Sequence, residues 1–376
     1  MLLLSGPNIA GNEWKYVKEC LDTGWVSSVG AYVTQFENMV AEFAGCKYGV
    51  ATSNGTAALQ IALQLADVQR NDYVIVSNVT FVASVNSIKY TGADPILIDV
   101  DTQSWQMDLD LLEDFLKNET GQKDGKCIYL KNSRVIKCIM PVHVLGNVCD
   151  MDRLVKLAGQ YNLKIVEDST ESLGSYYKGM HTGGFGLMGC FSFNGNKIIT
   201  TGGGGVIVTN NEELAKKAKH LTTQAKSDPF EYLHDEIGYN FRLVNVLAAM
   251  GVAQMELLPS FIKRKKEIDT LYKKELEGVG DIAFQKVEPA VDANCWLFTV
   301  MTEKQKTVLQ ILNDNKMQSR PFWVPMNKLR MFQNDIYYNK ENKSDYIYRR
   351  CLSIPCSTNI KDIEIKAVAE KIKSVY

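Results

Sequence analysis

Residues 48–66 read YGVATSNGTAALQIALQLA. Tyr48 to Thr52 is a short β-like run. From Gly55 to Ala66 the apolar residues return at helical spacing. Ser53 and Asn54 leave room for only a tight turn between the two. A short apolar strand feeding directly into a helix is the first half of a βαβ unit. The alternation continues on the C-terminal side. Tyr73–Val76, Pro95–Val100, Val135–Val142 and Lys164–Val166 read as strands, and Phe81–Tyr90, Asp108–Lys117 and Met151–Tyr161 as helices. Apolar strands separated by helices of this length predict an α/β fold with a mostly parallel sheet covered on both faces. On the N-terminal side, Trp14, Val17 and Leu21 predict a helix capped by Asn12 and ended by Gly24.

The pattern changes after Lys197. Val206–Thr209 reads as a strand, Glu212–His220 as a helix and Gln224–Asn240 as a loop. Asn245–Leu258 reads as a helix ending near Pro259, and Phe261–Leu276 as a second, charged one. Lys263, Arg264, Lys265 and Lys266 are expected on a solvated face. A smaller α+β unit follows, with a strand at Cys295–Met301 and helices at Lys304–Asn315 and Asp362–Ser374. The domain boundary is expected between 245 and 260, giving a large domain over 1–250 and a small one over 251–376.

Composition narrows the function classes. The 376 residues carry 42 Lys plus Arg against 43 Asp plus Glu, a net charge of −1. No basic excess is available to track nucleic-acid phosphates. The longest apolar run is about eight residues, Val246–Ala253, against roughly 20 for a membrane span. No leader pattern precedes Ser5, so a cytoplasmic protein is expected. The nine cysteines are scattered without a CxxC pair and read as reduced thiols, with no metal site.

Ligands in open α/β sheets bind beyond the carboxyl ends of the strands. Four features fall there. Ser53-Asn54-Gly55-Thr56-Ala57 opens a helix whose free N–H groups suit an anion. Glu167-Asp168 ends an apolar strand, where a carboxylate is costly without a partner. Lys197 follows the run from Cys190 to Asn196 and precedes the tetraglycine Gly202–Gly205, which allows close backbone approach. Gly238-Tyr239-Asn240-Phe241-Arg242 is a polar and aromatic cluster. Gly184-Phe185-Gly186-Leu187-Met188-Gly189 matches GxGxxG, but it neither follows a clear strand nor opens a helix, so dinucleotide binding is not expected.

In this order, the segments TSNGTAAL, TFVAS, PVHVLGN, EDSTESLGS, FSFNGNKIITTGGGG, GYNFRL and RPFWVPM resemble the DegT/DnrJ/EryC1/StrS sugar aminotransferases. These are fold-type I enzymes that use pyridoxal 5'-phosphate (PLP). The resemblance covers nearly the whole chain. It implies a large three-layer α/β/α domain that binds PLP and a smaller C-terminal domain. It implies that Lys197 bonds covalently to PLP and that Asp168 pairs with the ring nitrogen. Gly55, Thr56 and Ser192 would hold the phosphate, and Phe81 would stack on the ring. Glu171 stands where many members carry Gln or His and would bind the cofactor at its ring or 3-oxygen. Asn240 would reach the phosphate in a neighbouring subunit, so a homodimer with shared active sites is implied. Relatives with His in place of the lysine act as dehydratases, and this chain keeps Lys197.

The implied reaction moves an amino group from L-glutamate to a keto sugar on a nucleotide. The N-terminal segment and RPFWVPM are most similar to members that aminate C4 of a 4-keto-6-deoxy-N-acetylhexosamine in bacterial surface-sugar biosynthesis. Amination at C3, or of a GDP-4-keto-6-deoxymannose or UDP-4-keto-arabinose acceptor, is the alternative. A non-catalytic PLP-binding regulator is more remote. His143, Arg242 and Trp323 are the expected substrate contacts.

Overall fold

A computed structural model describes residues 1–228 and 230–376. Pro229, part of the loop signal read at 227–229, lies outside them. Seven strands build the large sheet in chain order: β1 (Tyr48–Thr52), β2 (Tyr73–Ser77), β3 (Asp94–Ile98), β4 (Ile136–Met140), β5 (Lys164–Asp168), β6 (Met188–Ser192) and β7 (Gly205–Thr209). An eighth, β8 (Ile336–Tyr338), arrives from the C-terminal part. Among the described residues their order is β1-β7-β6-β5-β4-β2-β3-β8. Only β7 runs antiparallel to its neighbours.

Both faces are buried, as the unbroken apolar strands require. Val74 and Val76 of β2 join one core cluster, and Tyr73 and Ile75 join another on the opposite face. Helices α3 (Gly55–Leu65), α4 (Val82–Tyr90) and α7 (Glu212–Thr222) lie in one layer, and α5 (Leu109–Glu119) and α6 (Met151–Gln160) in another. The carboxyl edge of the parallel strands thus gathers the start of α3, the β2–α4 turn, Asp168 and Ser192. Because β7 returns antiparallel, the tetraglycine enters at this same edge. A Cβ on Gly205 would lie 2.5 Å from the Asn54 carbonyl oxygen, so only glycine lets β7 start against that turn.

Several expectations need correction. Helix α2 (Ala31–Phe43) was not expected. Helix α8 (Asn245–Leu276) runs unbroken through Pro259. Pro259 is on an exposed face, where water can take the carbonyl it leaves unpaired. Lys265 is not solvated: it is 1% exposed. One window of α8 is apolar enough to pass for a membrane span, yet 56% of that window is buried. It packs against α2 and α1 (Glu13–Thr23). Gly24 does end α1 in a left-handed conformation, but Asn12 makes no side-chain cap bond. Trp14 and Leu21 face outward.

The boundary expected at 250 falls inside α8, and the two parts exchange segments. β8 joins the large sheet, whereas Leu2 pairs with Met317 beside the small sheet. That small sheet takes Ala283–Phe284, Thr299–Met301, Cys351–Ser353 and Arg320–Pro321 in order. Helix α10 (Lys343–Arg350) leads into its Cys351–Ser353 strand, and α9 (Gln305–Asp314) and α11 (Asp362–Lys373) cover the sheet.

Candidate active site

A cleft of about 450 Å³ opens at the carboxyl edge of the large sheet, under the small sheet. Gly55, Thr56, Phe81, Glu171, Ser192 and Lys197 line it from the large sheet's side. Trp296, Arg320 and Trp323 close the other wall.

Each side chain is placed by its element. Asn54 caps α3 by accepting the Ala57 N–H at 2.8 Å. Gly55 and Thr56 then begin the helix at its positive end. A Cβ on Gly55 would sit 2.8 Å from Ser192 Cβ, so glycine is what brings the Ser192 hydroxyl to the helix start. Asp168 ends β5, 2% exposed. Its Oδ2 accepts from Ser84 Oγ at 2.6 Å and its Oδ1 from the Thr170 N–H at 3.2 Å. Two donors leave a buried carboxylate with unused acceptor capacity. Phe81 stands ahead of α4 with its ring half exposed.

Lys197 follows β6 and turns back into the cleft. Its Nζ lies 3.8 Å from the centroid of the Trp296 ring and 3.9 Å from Glu171 Oε1. Burial pushes the amine below the ordinary lysine range, against the opposing pull of Glu171 and Asp168. Burial also pushes the Glu171 carboxyl upward, against Lys197 and the Leu145 N–H that it accepts at 2.8 Å. Burial thus favours the uncharged amine, the nucleophilic form that covalent attachment needs.

Other expected residues lie elsewhere. His143 and Arg242, expected to contact substrate, do not line the cleft. His143 is fully buried and donates from Nε2 to Glu167 at 3.1 Å. Arg242 is spent on a buried ion pair with Glu37 and on the Ala51 carbonyl oxygen. Asn240 sits on the exposed surface beside Thr223, away from this chain's cleft. The GxGxxG turn has a different use. The N–H groups of Gly183, Phe185 and Gly186 close on the Glu167 carboxylate at 2.7–2.8 Å. A carboxylate of the chain itself fills the anion cradle.

Trp296, Ser84 and Arg320 join the site beyond the expected residues. Ser84 lies within TFVAS and Arg320 opens RPFWVPM, so both were in view. Nothing local marks Trp296, whose role comes from residues far away in sequence.

The residues present fit PLP. An open helix start with two hydroxyls, Thr56 and Ser192, suits a phosphate. An incompletely satisfied carboxylate suits a protonated ring nitrogen, and the buried amine suits covalent attachment. These features define a PLP-dependent transferase of fold-type I. The comparisons agree. Residues 7–373 match the model of the DegT/DnrJ/EryC1/StrS aminotransferase family, and the chain belongs to that family. It is 37% identical to GDP-perosamine synthase of Escherichia coli O157:H7 over 98% of this chain and 97% of that one. It is 32% identical to GDP-perosamine synthase of Vibrio cholerae over 100% and 99%. The PLP form of Spr1654 from Streptococcus pneumoniae superposes with a TM-score of 0.88 at 25% identity, covering 99% of this chain and 97% of that one. The family and fold expected from the sequence, and PLP as cofactor, are thus shown.

Proposed function

We propose that the chain transfers an amino group from L-glutamate to the C4 keto group of a nucleotide-linked 4-keto-6-deoxyhexose. The product would serve surface-polysaccharide synthesis in the cytoplasm. The observation that carries the reading is the buried Lys197 amine, which faces an indole and a raised carboxyl beside Asp168. Bound PLP supplies an electron sink for breaking the bond to an α-hydrogen. The chain's residues do the rest. Asp168 keeps a positive charge on the ring nitrogen by charge pairing. Gly55, Thr56 and Ser192 hold the phosphate, and Phe81 covers the ring. Lys197 Nζ anchors the group, then carries a proton at short range once an incoming amine displaces it.

On the substrate side, Arg320 replaces Arg242 as the guanidinium on the cleft wall, with Trp323 beside it. Arginine suits a carboxylate or phosphate through paired N–H donors. Two relatives named for a GDP-linked amino sugar favour GDP-4-keto-6-deoxymannose over the N-acetylhexosamine acceptor read from the sequence. A second copy of the chain is proposed to complete the site. Trp14, Leu21 and Trp25 leave an apolar surface on and after α1, and Phe230 and Ile237 another near Asn240.

The test has two halves. Glutamate added to the purified holoenzyme should bleach its visible band. Each keto-sugar nucleotide is then offered with glutamate, and the product is weighed by mass spectrometry. Amination of a 4-keto-6-deoxy sugar is expected. Amination of a 3-keto sugar alone would move the reading to the 3-aminotransferases.

A further inference from the structure

We propose that Lys265 is a positioning residue for Lys197 that acts through Trp296; this rests on Lys197 being the cofactor's anchor. Lys265 is a second buried lysine, on α8, and the chemistry above does not use it. Its Nζ donates to the carbonyl oxygens of Trp296 at 2.7 Å and Cys356 at 2.6 Å, with Cys356 Sγ at 3.7 Å. Among the described residues no carboxylate pairs with it. Burial pushes this amine below the ordinary lysine range, and its two bonds tie two loops together.

One of those loops carries the indole that faces Lys197. Cys295, just before Trp296, has φ of 56°, a left-handed conformation unfavourable for a residue with a side chain. Side-chain hydrogen bonds from several directions hold this turn. Asn294 Oδ1 accepts the Trp296 N–H at 3.0 Å, and Asn294 Nδ2 donates to the Glu171 carbonyl oxygen at 2.9 Å. Lys265 fixes the Trp296 carbonyl from the other side. The indole then reaches across, and its Nε1–H donates to the Asn196 carbonyl oxygen at 2.7 Å. Asn196 is the residue before Lys197. The ring face is thereby set 3.8 Å from the Lys197 amine. An indole face favours a cationic nitrogen. The charged groups acting on that nitrogen are Glu171 and Asp168. Lys265 thus sets the indole's position from behind without lining the cleft.

A double-mutant cycle on the holoenzyme tests this. Lys265→Met, Trp296→Phe and the double variant are loaded with PLP, and the pH midpoint of the visible band is titrated. Lys265→Met should lower the midpoint by about half a unit to one unit, the size a desolvated cation–π contact supports. In the Trp296→Phe background the same change should move it by less than half as much. An unchanged midpoint, a rise, or an equal drop in both backgrounds would overturn the assignment, whatever the loss in urea stability. Should Lys265→Met not fold, Lys265→Gln, which keeps N–H donors for the Trp296 carbonyl, should hold the midpoint closer to wild type than Trp296→Phe does; a drop as large as that of Trp296→Phe would overturn the assignment. A wild-type protein without any visible band would instead sink the cofactor reading itself.

Discussion

Glu167 and Asp168 are neighbours at the end of one strand, both buried, and they meet opposite fates. Glu167 points into the glycine turn, where three N–H groups and the His143 ring satisfy it. Asp168 points to the other face, where one hydroxyl and one N–H leave it short of partners. The two buried lysines differ in the same way. Lys265 is bonded to two carbonyl oxygens, whereas Lys197 faces an indole and a carboxyl at the limit of ion pairing. Satisfied groups hold the fold. Groups left unsatisfied at a cleft are the ones free to do chemistry.

Substitutions can break or sharpen this contrast. The largest effect is expected at Lys197→Ala, which should abolish both the visible band and turnover while the protein stays folded. Asp168→Asn should cost about 10- to 1000-fold in kcat, the span of a lost charge partner acting on a ring nitrogen. Kinetics with glutamate would show it, with the urea midpoint little changed. Glu167→Gln should do the reverse. It leaves N–H donors facing an amide, and urea unfolding should show a loss of about 3–5 kcal/mol.

The smallest effect tests the closed region by pH. His181 is buried, accepts the Gly174 N–H at Nε2 and donates from Nδ1 to the Thr182 carbonyl oxygen. Burial pushes its pKa down to about 4 from 6.5, against the Thr182 carbonyl and Glu167. The unfolded chain therefore binds a proton that the folded one refuses. The stability is present above about 6.5 and is lost as pH falls toward about 4. The loss should reach up to about 3 kcal/mol, and His181→Asn should flatten that slope in urea melts.

Much of the fold was legible because β1–α3 and its successors are local: strand, turn and helix are adjacent in sequence. What escaped depends on distant partners. β8 pairs with β3 across more than half the chain, and a three-residue strand carries no period of its own. Lys265 looked like one of four solvated cations, since the carbonyls that bury it belong to Trp296 and Cys356. The cofactor side was readable for the same local reason, as Gly55, Asp168, Ser192 and Lys197 sit at strand ends. The substrate side was not. Arg242 and His143 carry suitable chemistry, but Glu37 occupies the first and Glu167 holds the second through Nε2, leaving its Nδ1 buried and unpartnered. Sequence shows a residue's chemistry and hides whether that chemistry is spent.

Reducing the holoenzyme with borohydride and mapping its peptides would test the central claim most directly. A single pyridoxyl label on Lys197 is the predicted result. A label on Lys265 or any other lysine, with Lys197 unmodified, would contradict it.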